Sequence, residues 1–486
     1  MRNKIAEHRV HEARDRFIKS IKEDDIRRLA SSYHNDDPCT FFKPPTRGSY
    51  NICFFVKFHS PSTQRTSHDA TEQADESGSS WVVRVPLDPY LSIPAYEKLE
   101  TEVTVMQLIA SKTTIPIPKL HAYSLAHEKG VYGIASFIIM EYIEDRTLNN
   151  LRRLESPAIG RLAPCPDKGR IMVRKRPMSN HINLQEVEGL QPLCIMADYG
   201  GETGVLTSAN DYISMLLRIA WNAFEKGRKN VYDEFDGRDS LYHLDQFSQF
   251  VKTKWLNPTL DNGPFVLSHG DLEMYNLLVN ENLDILAVLD WEWSCVIPLQ
   301  LFMPPTWITN RPITTLSWGI FYDDYITDLN DFRAVIKDRE LRMYGEELLS
   351  RDWASVHTDG GILIGSALEN WADVDYVAGR YLDKFLHLRK DLQGRIKQFM
   401  EENPSYEYLI ARKVADCMEY RAERKRLGVE DSEDEKRETV EQEKGTNGQI
   451  QKAKRGDKEK SRKEAGGGRV QSGAELVVEK AAAATV

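Results

Sequence analysis

The stretch Pro264–Trp293, PFVLSHGDLEMYNLLVNENLDILAVLDWEW, constrains this chain more than any other. Its apolar triplet Phe265, Val266 and Leu267 reads as a short strand that delivers Ser268, His269, Gly270 and Asp271 into a turn, where Gly270 permits backbone geometry that a Cβ would crowd. Asn276 follows Asp271 by five residues, and LLV, NENLD and ILAVL then read as strand, turn and strand. In an antiparallel hairpin, residues equidistant from the turn face each other, so a turn centred near Leu283 sets Asn276 opposite Asp290. An amide oxygen and a carboxylate would then converge, and these are donors that suit Mg²⁺, which is usually held by one or two carboxylates plus substrate phosphates. Asp271, just before the hairpin, would stand near the same metal and could accept a proton from an attacking hydroxyl. Taken singly, the three have ordinary readings as a turn residue, a cap and a strand-end carboxylate. The joint pattern HGDxxxxN, hairpin and DWE points to phosphoryl transfer.

A chain of 486 residues has room for two lobes or two domains. Its 41% hydrophobic and 28% charged residues indicate neither disorder throughout nor membrane residence. A net charge of −10 argues against a general nucleic-acid or anionic-membrane binder, since those functions need a basic field. The first residues carry charges every few positions with no apolar run fit for a secretory signal, and no stretch approaches the roughly 20 apolar residues that span a bilayer, so the cytosol is the expected compartment. Six scattered cysteines (Cys39, Cys53, Cys165, Cys194, Cys295, Cys417) form no CxxC pair and suggest neither a disulfide framework nor a structural zinc site.

Periodicity predicts an N-terminal helix with Val10, Ala13, Phe17 and Ile21 on one face, and a second short one through Leu29 that Asp24 or Asp25 would cap. Asn51–Phe58 and Ser80–Leu87 read as strands. The polar residues 59–79 between them lack the apolar surface to repay ordering and are expected to be an enlarged, mobile loop. From Pro94 a helix carries Leu99, Val103, Met106 and Ala110 on one face until TTIPIPKL ends it. Tyr132–Glu144 reads as a buried strand and connector, IGRLAPCPDKGRIMVRKRP as a hairpin, Tyr212–Lys226 as a helix, and Asp328–Tyr420 as mostly helical. The aromatic-free, charge-mixed end of the chain is expected to be disordered.

The catalytic-looking segment resembles the aminoglycoside phosphotransferase and choline kinase branch of the protein-kinase-like superfamily. Together with RGSYN, WVVRVP, TTIPIPKL, RPMS and LDWEW it is similar to the phosphotransferase-family proteins of filamentous fungi, over residues 36 to about 420. The resemblance implies a two-lobed α+β kinase-like fold. A segment at 1–35 would precede a β-rich small lobe at 36–145 that ends in a hinge, then a mainly helical large lobe at 146–422 and a tail at 423–486. It implies ATP and Mg²⁺ as cofactors, Asp271 as catalytic base with His269 orienting the loop, and Asn276 and Asp290 as metal ligands. Gly48, Ser49 and Asn51 would belong to the turn that covers the ATP phosphates, and Glu141 and Ile143 to the hinge whose backbone binds adenine. Arg84 stands where protein kinases carry a phosphate-contacting lysine, with Glu102 as its expected helix partner and Glu97 and Glu100 as competitors. Trp291 and Glu292 replace the Phe-Gly that follows the metal-binding aspartate of protein kinases, and no APE motif follows, which favours a small-molecule hydroxyl as acceptor. Glu292 is open to two readings, an additional metal carboxylate or a structural hydrogen-bonding group. A non-catalytic nucleotide-binding scaffold is the second reading of the whole chain; Arg84 and the long polar insertion favour it, while Asp271, Asn276 and Asp290 oppose it.

Overall fold

The computed structural model describes residues 3–58, 79–128, 130, 132–142, 152–166, 170–280, 285–309, 311, 313–316, 319–356, 360–370, 374, 377–382 and 391–429. Ile143, the turn around Leu283, the expected polar loop except Ser79, and the tail from 430 onward lie outside these residues. The fold is two-lobed α+β. Its small lobe is a five-stranded antiparallel sheet in the order β1-β2-β3-β5-β4, built from β1 (Cys39–Arg47), β2 (Asn51–Phe58), β3 (Ser80–Pro86), β4 (Leu120–Leu125) and β5 (Ser136–Glu141). Alternation along β3 divides its side chains between two layers. Trp81, Val83 and Val85 pack with Ile52, Phe54, Val56 and Ile139 beneath Ile26, Leu29 and Ala30 of α2 (Glu23–Ser32). Val82 packs on the opposite face with Ile138, Met140 and the helix α3 (Ala95–Lys112), through Leu99 and Val103. Arg84 shares that face, so the sequence alternation aims the one buried cation of β3 at α3.

Strand β1 was not foreseen, because its Pro44-Pro45 pair reads as a break. It is tolerated because β1 is an edge strand, and its register against β2 shifts between Lys43 and Thr46, where the two prolines lack N–H donors. Within Tyr132–Glu144, expected as a buried strand ending in a connector, the strand runs from Ser136 to Glu141. Neither Asp24 nor Asp25 caps α2; Lys22 stands at that position without a side-chain bond, and Glu23, Asp24 and Asp25 lie in the first turn, where they complement the helix dipole. The preceding helix, α1 (Lys4–Ser20), is capped by Asn3, whose side chain accepts the Ile5 and Ala6 N–H groups at 3.1 Å.

The large lobe begins with strand β6 (Glu155–Ser156) and the hairpin β7 (Arg161–Pro164) with β8 (Ile171–Lys175). Helices α4 (Asn180–Val187), α5 (Pro192–Met196), α6 (Ala209–Lys226) and α7 (Glu234–Phe250) follow, with α6 started by the Ser208 cap and buried along most of its length. Strands β9 (Phe265–Ser268) and β12 (Cys295–Pro298) pair antiparallel, Ser268 opposite Cys295, with β6 on the other side of β9. Between them lies the hairpin of β10 (Leu277–Val279) and β11 (Ile285–Val288). The α-helices that follow among the described residues are α8 (Ile313–Leu316), α9 (Gly319–Tyr344), α10 (Leu349–Asp352), α11 (Gly361–Glu369), α12 (Leu392–Glu402) and α13 (Ser405–Leu427). Helix α13 runs seven residues past Tyr420, whose hydroxyl accepts the Lys4 N–H at 2.8 Å and ties the first helix to the last. The extended proline segment after α3 reaches the large lobe, with the Val288 N–H donating to Pro116 O at 3.1 Å. No helix among the described residues is long and apolar enough to cross a membrane.

Candidate active site

Strand β9 ends where the chain must turn sharply under Trp293. Gly270 has φ +80°, and a Cβ there would stand 2.2 Å from Trp293 O, so only glycine fits. The buried His269 donates from Nε2 to Leu289 O at 2.8 Å and accepts the Asp271 N–H on Nδ1 at 3.3 Å. Burial depresses its pKa to about 4, so at neutral pH it is an uncharged brace with one fixed tautomer. Asn276, also buried, donates from Nδ2 to the carbonyl of Asp271 at 2.8 Å and to its carboxylate at 3.3 Å, which leaves Oδ1 as the atom of Asn276 with lone pairs to offer a cation. The Trp307 indole N–H reaches Leu272 O at 2.6 Å, and the exposed Tyr275 hydroxyl stands 3.5 Å from Asp271 Oδ1. Asp271 itself is half-buried, and burial raises its pKa to about 6, reinforced by the nearby charge of Asp290 and opposed by the Asn276 bond.

The hairpin register differs by one residue from the symmetry expected around Leu283. Leu277 faces Val288, and the Leu289 N–H donates to Asn276 O at 2.9 Å, so Leu289 and not Asp290 lies opposite Asn276. The register shifts between Leu278 and Val279, an irregularity that strand length alone cannot reveal. Asp290 leaves the ladder through a left-handed backbone, φ 63° and ψ 51°, a conformation that Asp tolerates better than most residues.

Asp290 ends in a buried ionic network that joins the lobes. Arg84 Nη1 donates to Glu102 at 2.5 Å, and its Nη2 is shared between Glu292, at 2.7 Å, and Asp290. Lys98, wholly buried on α3, pairs with Glu292 and reaches Asn51 Oδ1 at 3.3 Å, while Asn51 Nδ2 donates to Glu292 at 2.6 Å. Burial opposes ionisation of Glu292, yet Lys98 and Arg84 together hold it below the usual carboxylate range. Burial pushes Glu102 the other way, to about 7, against the pull of Arg84. The competitors for Arg84 are engaged elsewhere: Glu97 meets Arg161 at 2.5 Å and Glu100 pairs with Lys175. Of the two readings open for Glu292, the bonds to Asn51, Arg84 and Lys98 favour the structural one. Lys98 escaped the sequence reading, although its spacing, one turn before Glu102 on the buried face of an apolar helix, was a usable signal.

The remaining expected positions are less concentrated. Gly48 and Ser49 are exposed at the β1–β2 turn, and the Gly48 N–H is engaged by Asn51 O at 2.9 Å. Asn51 begins β2, and its side chain points inward to the interlobe cluster, where Nδ2 donates to Glu292. Glu141 is exposed at the end of β5; its N–H donates to Lys119 O at 2.9 Å and that of Tyr142 to Ser80 O at 3.0 Å, so both backbone donors are already engaged.

Asp290 and Asn276 Oδ1 are the hard oxygen donors that Mg²⁺ takes, and the donor set fits the ion. Glu102, Asp290 and Glu292 bring carboxylate oxygens within 4.8 Å of one another, but Arg84 and Lys98 already neutralise that cluster. Below Asp271 a cavity of about 330 Å³ runs into the large lobe, lined by Trp291, Trp293, Trp307, Trp353 and, on α11, Glu369. Glu369 has no ion-pair partner among the described residues, and burial raises its pKa to about 7.

No family model matches the sequence. An Ampulloclitocybe clavipes protein, clavilactone A biosynthesis cluster protein Y, is 23% identical over 271 residues, which are 51% of this chain and 64%, under two thirds, of that protein. Among solved structures, the chain is similar to a candidate aminoglycoside phosphotransferase of Ralstonia eutropha, at 15% identity over 73% of this chain and 97% of that one, with a TM-score of 0.33. A macrolide 2'-phosphotransferase type I matches at 12% identity over 74% and 96% of the two chains, TM-score 0.30. An ethanolamine kinase of Plasmodium vivax matches at 15% identity over 60% and 70%, TM-score 0.30.

Proposed function

We propose that this chain transfers the γ-phosphoryl group of ATP to a hydroxyl of a small molecule, with Asp271 as the base. The observation that carries the reading is the construction of the Asp271 loop: a half-buried carboxylate with its pKa raised to about 6, braced by His269 and Asn276 and opening onto a cavity. At neutral pH the carboxylate is ionised and accepts the acceptor's hydroxyl proton as the new O–P bond forms, while the bond from the γ-phosphorus to the bridging oxygen breaks and ADP leaves. Asp290 and Asn276 would hold Mg²⁺, which when bound neutralises phosphate charge. Arg84, anchored by Glu102 and Glu292, supplies a fixed positive fork beside that position. Gly48 and Ser49 would cover the phosphates, and Glu141 and Ile143 frame the adenine.

The cavity supports an acceptor with an apolar body, held against tryptophan faces, whose hydroxyl meets Asp271 and whose hydrogen-bond donor meets Glu369. The cytosol suits six unpaired cysteines. Incubation with γ-labelled ATP and a panel of hydroxyl compounds tests the function. Label should appear in a small-molecule product with the parent chain and not with Asp271→Ala.

The second reading, a nucleotide-binding scaffold without turnover, draws on Arg84 seated against Asp290. It predicts an ATP-dependent rise in unfolding temperature with no labelled product.

A further inference from the structure

Asp290 is already paired with a cation of the protein's own. Arg84 is held from three sides, and the three contacts are unequal. Glu102 and Glu292 are 1% and 4% exposed at their side chains, whereas Asp290 is 38% exposed. The Asp290 contact is thus the one that solvent and solutes can reach. Releasing it leaves the guanidinium with both buried partners, and Lys98 and Asn51 keep Glu292 in place throughout.

We propose that Arg84 is the resident counter-ion of Asp290 and makes divalent-metal binding there conditional on nucleotide. The inference rests on the reading of Asp290 as a metal ligand. A bare dication must displace the guanidinium from Asp290 and offers it nothing in return, so the free energy of the existing ion pair is subtracted from its own affinity. A dication that arrives with a triphosphate brings anionic oxygens, which suit the planar donor fork of arginine. Arg84 then exchanges one anionic partner for another while Glu102 and Glu292 hold its stem. A lysine in this place would offer its three donors from a single point, without the planar fork by which arginine meets Glu102 with one nitrogen and Glu292 and a third group with the other. That geometry gives the arginine a positioning role of its own.

Nucleotide-free Mn²⁺ binding, counted by electron paramagnetic resonance of the free ion, tests the proposal on the full chain. The parent should bind Mn²⁺ at least about tenfold more weakly than Arg84→Gln. Lys98→Met removes the same charge from the same cluster without freeing Asp290, and should stay within about threefold of the parent. Equal affinity of parent and Arg84→Gln would overturn the proposal, as would an equal gain in Lys98→Met. If Arg84→Gln fails to fold, judged by its circular dichroism melt, the parent alone decides: tight nucleotide-free Mn²⁺ binding that Asp290→Asn abolishes would sink the idea, and its absence would support it. Turnover is read separately. A chain that shows the expected Mn²⁺ order but labels no product contradicts the phosphotransfer reading only, and one that labels product with equal Mn²⁺ affinities contradicts this inference only.

Discussion

As the proposed base, Asp271 would have to be dry enough to act near neutral pH and open enough to meet a hydroxyl, and its half-buried place beside Asp290 suits both demands. Because the raised pKa is about 6, the ionised base is present above that value, and kcat/KM should fall as pH drops through it, a profile measurable in the free enzyme. Asp271→Asn should lower kcat by about 10²–10⁴-fold without lowering the unfolding temperature, since it removes a desolvated charge and keeps the shape. Glu369 carries a second signed prediction. A folded-state pKa of about 7 against an ordinary 4.5 means that the ionised form opposes folding, and the penalty accumulates as pH rises between those values. Glu369→Gln should therefore raise the unfolding midpoint at about pH 8 and leave it unchanged at about pH 4, in parallel melts. Asp271 and its partners were legible in the sequence because their spacing is local. Glu369 was not, since its environment is assembled by α11 and tryptophans from distant segments.

At the level of elements, β3 could be read from its apolar run and α3 from helical spacing, and β9 from its apolar triplet followed by the HGD motif. The β10–β11 hairpin was legible as a hairpin but not in register: Val279 pairs with Ile285 and, past an irregular step, Leu278 with Ala287, so Leu289 and not Asp290 lies opposite Asn276. Strand β1 stayed hidden because two prolines mask its pattern, and only its edge position admits them. The turn after β9 is the most exacting piece of backbone. Gly270→Ala would force a Cβ into Trp293 O at a left-handed φ, where the backbone alone costs about 1–3 kcal/mol. Urea unfolding should show at least that loss, together with reduced activity from a displaced Asp271.

Across the whole molecule, the two lobes are joined through Glu292, which gathers Asn51 from β2, Arg84 from β3 and Lys98 from α3. Such a network fixes geometry more than it adds stability, because each charge is taken out of water, but removing one partner strands the others. Glu292→Gln should cost about 3–5 kcal/mol by leaving Lys98 buried and uncompensated, and Lys98→Met in the same chain should restore part of it in a double-mutant cycle. This convergence could not be read from the sequence, where its members are separated by up to 241 residues. It places Asp290 within reach of Arg84 and the Asp271 loop at the mouth of the tryptophan-lined cavity, the arrangement on which the proposed chemistry depends. The most direct test is transfer of label from γ-labelled ATP to hydroxyl compounds by the parent chain and by Asp271→Ala. The account predicts a labelled small-molecule product from the parent and none above background from the variant, and equal labelling by the two would contradict it.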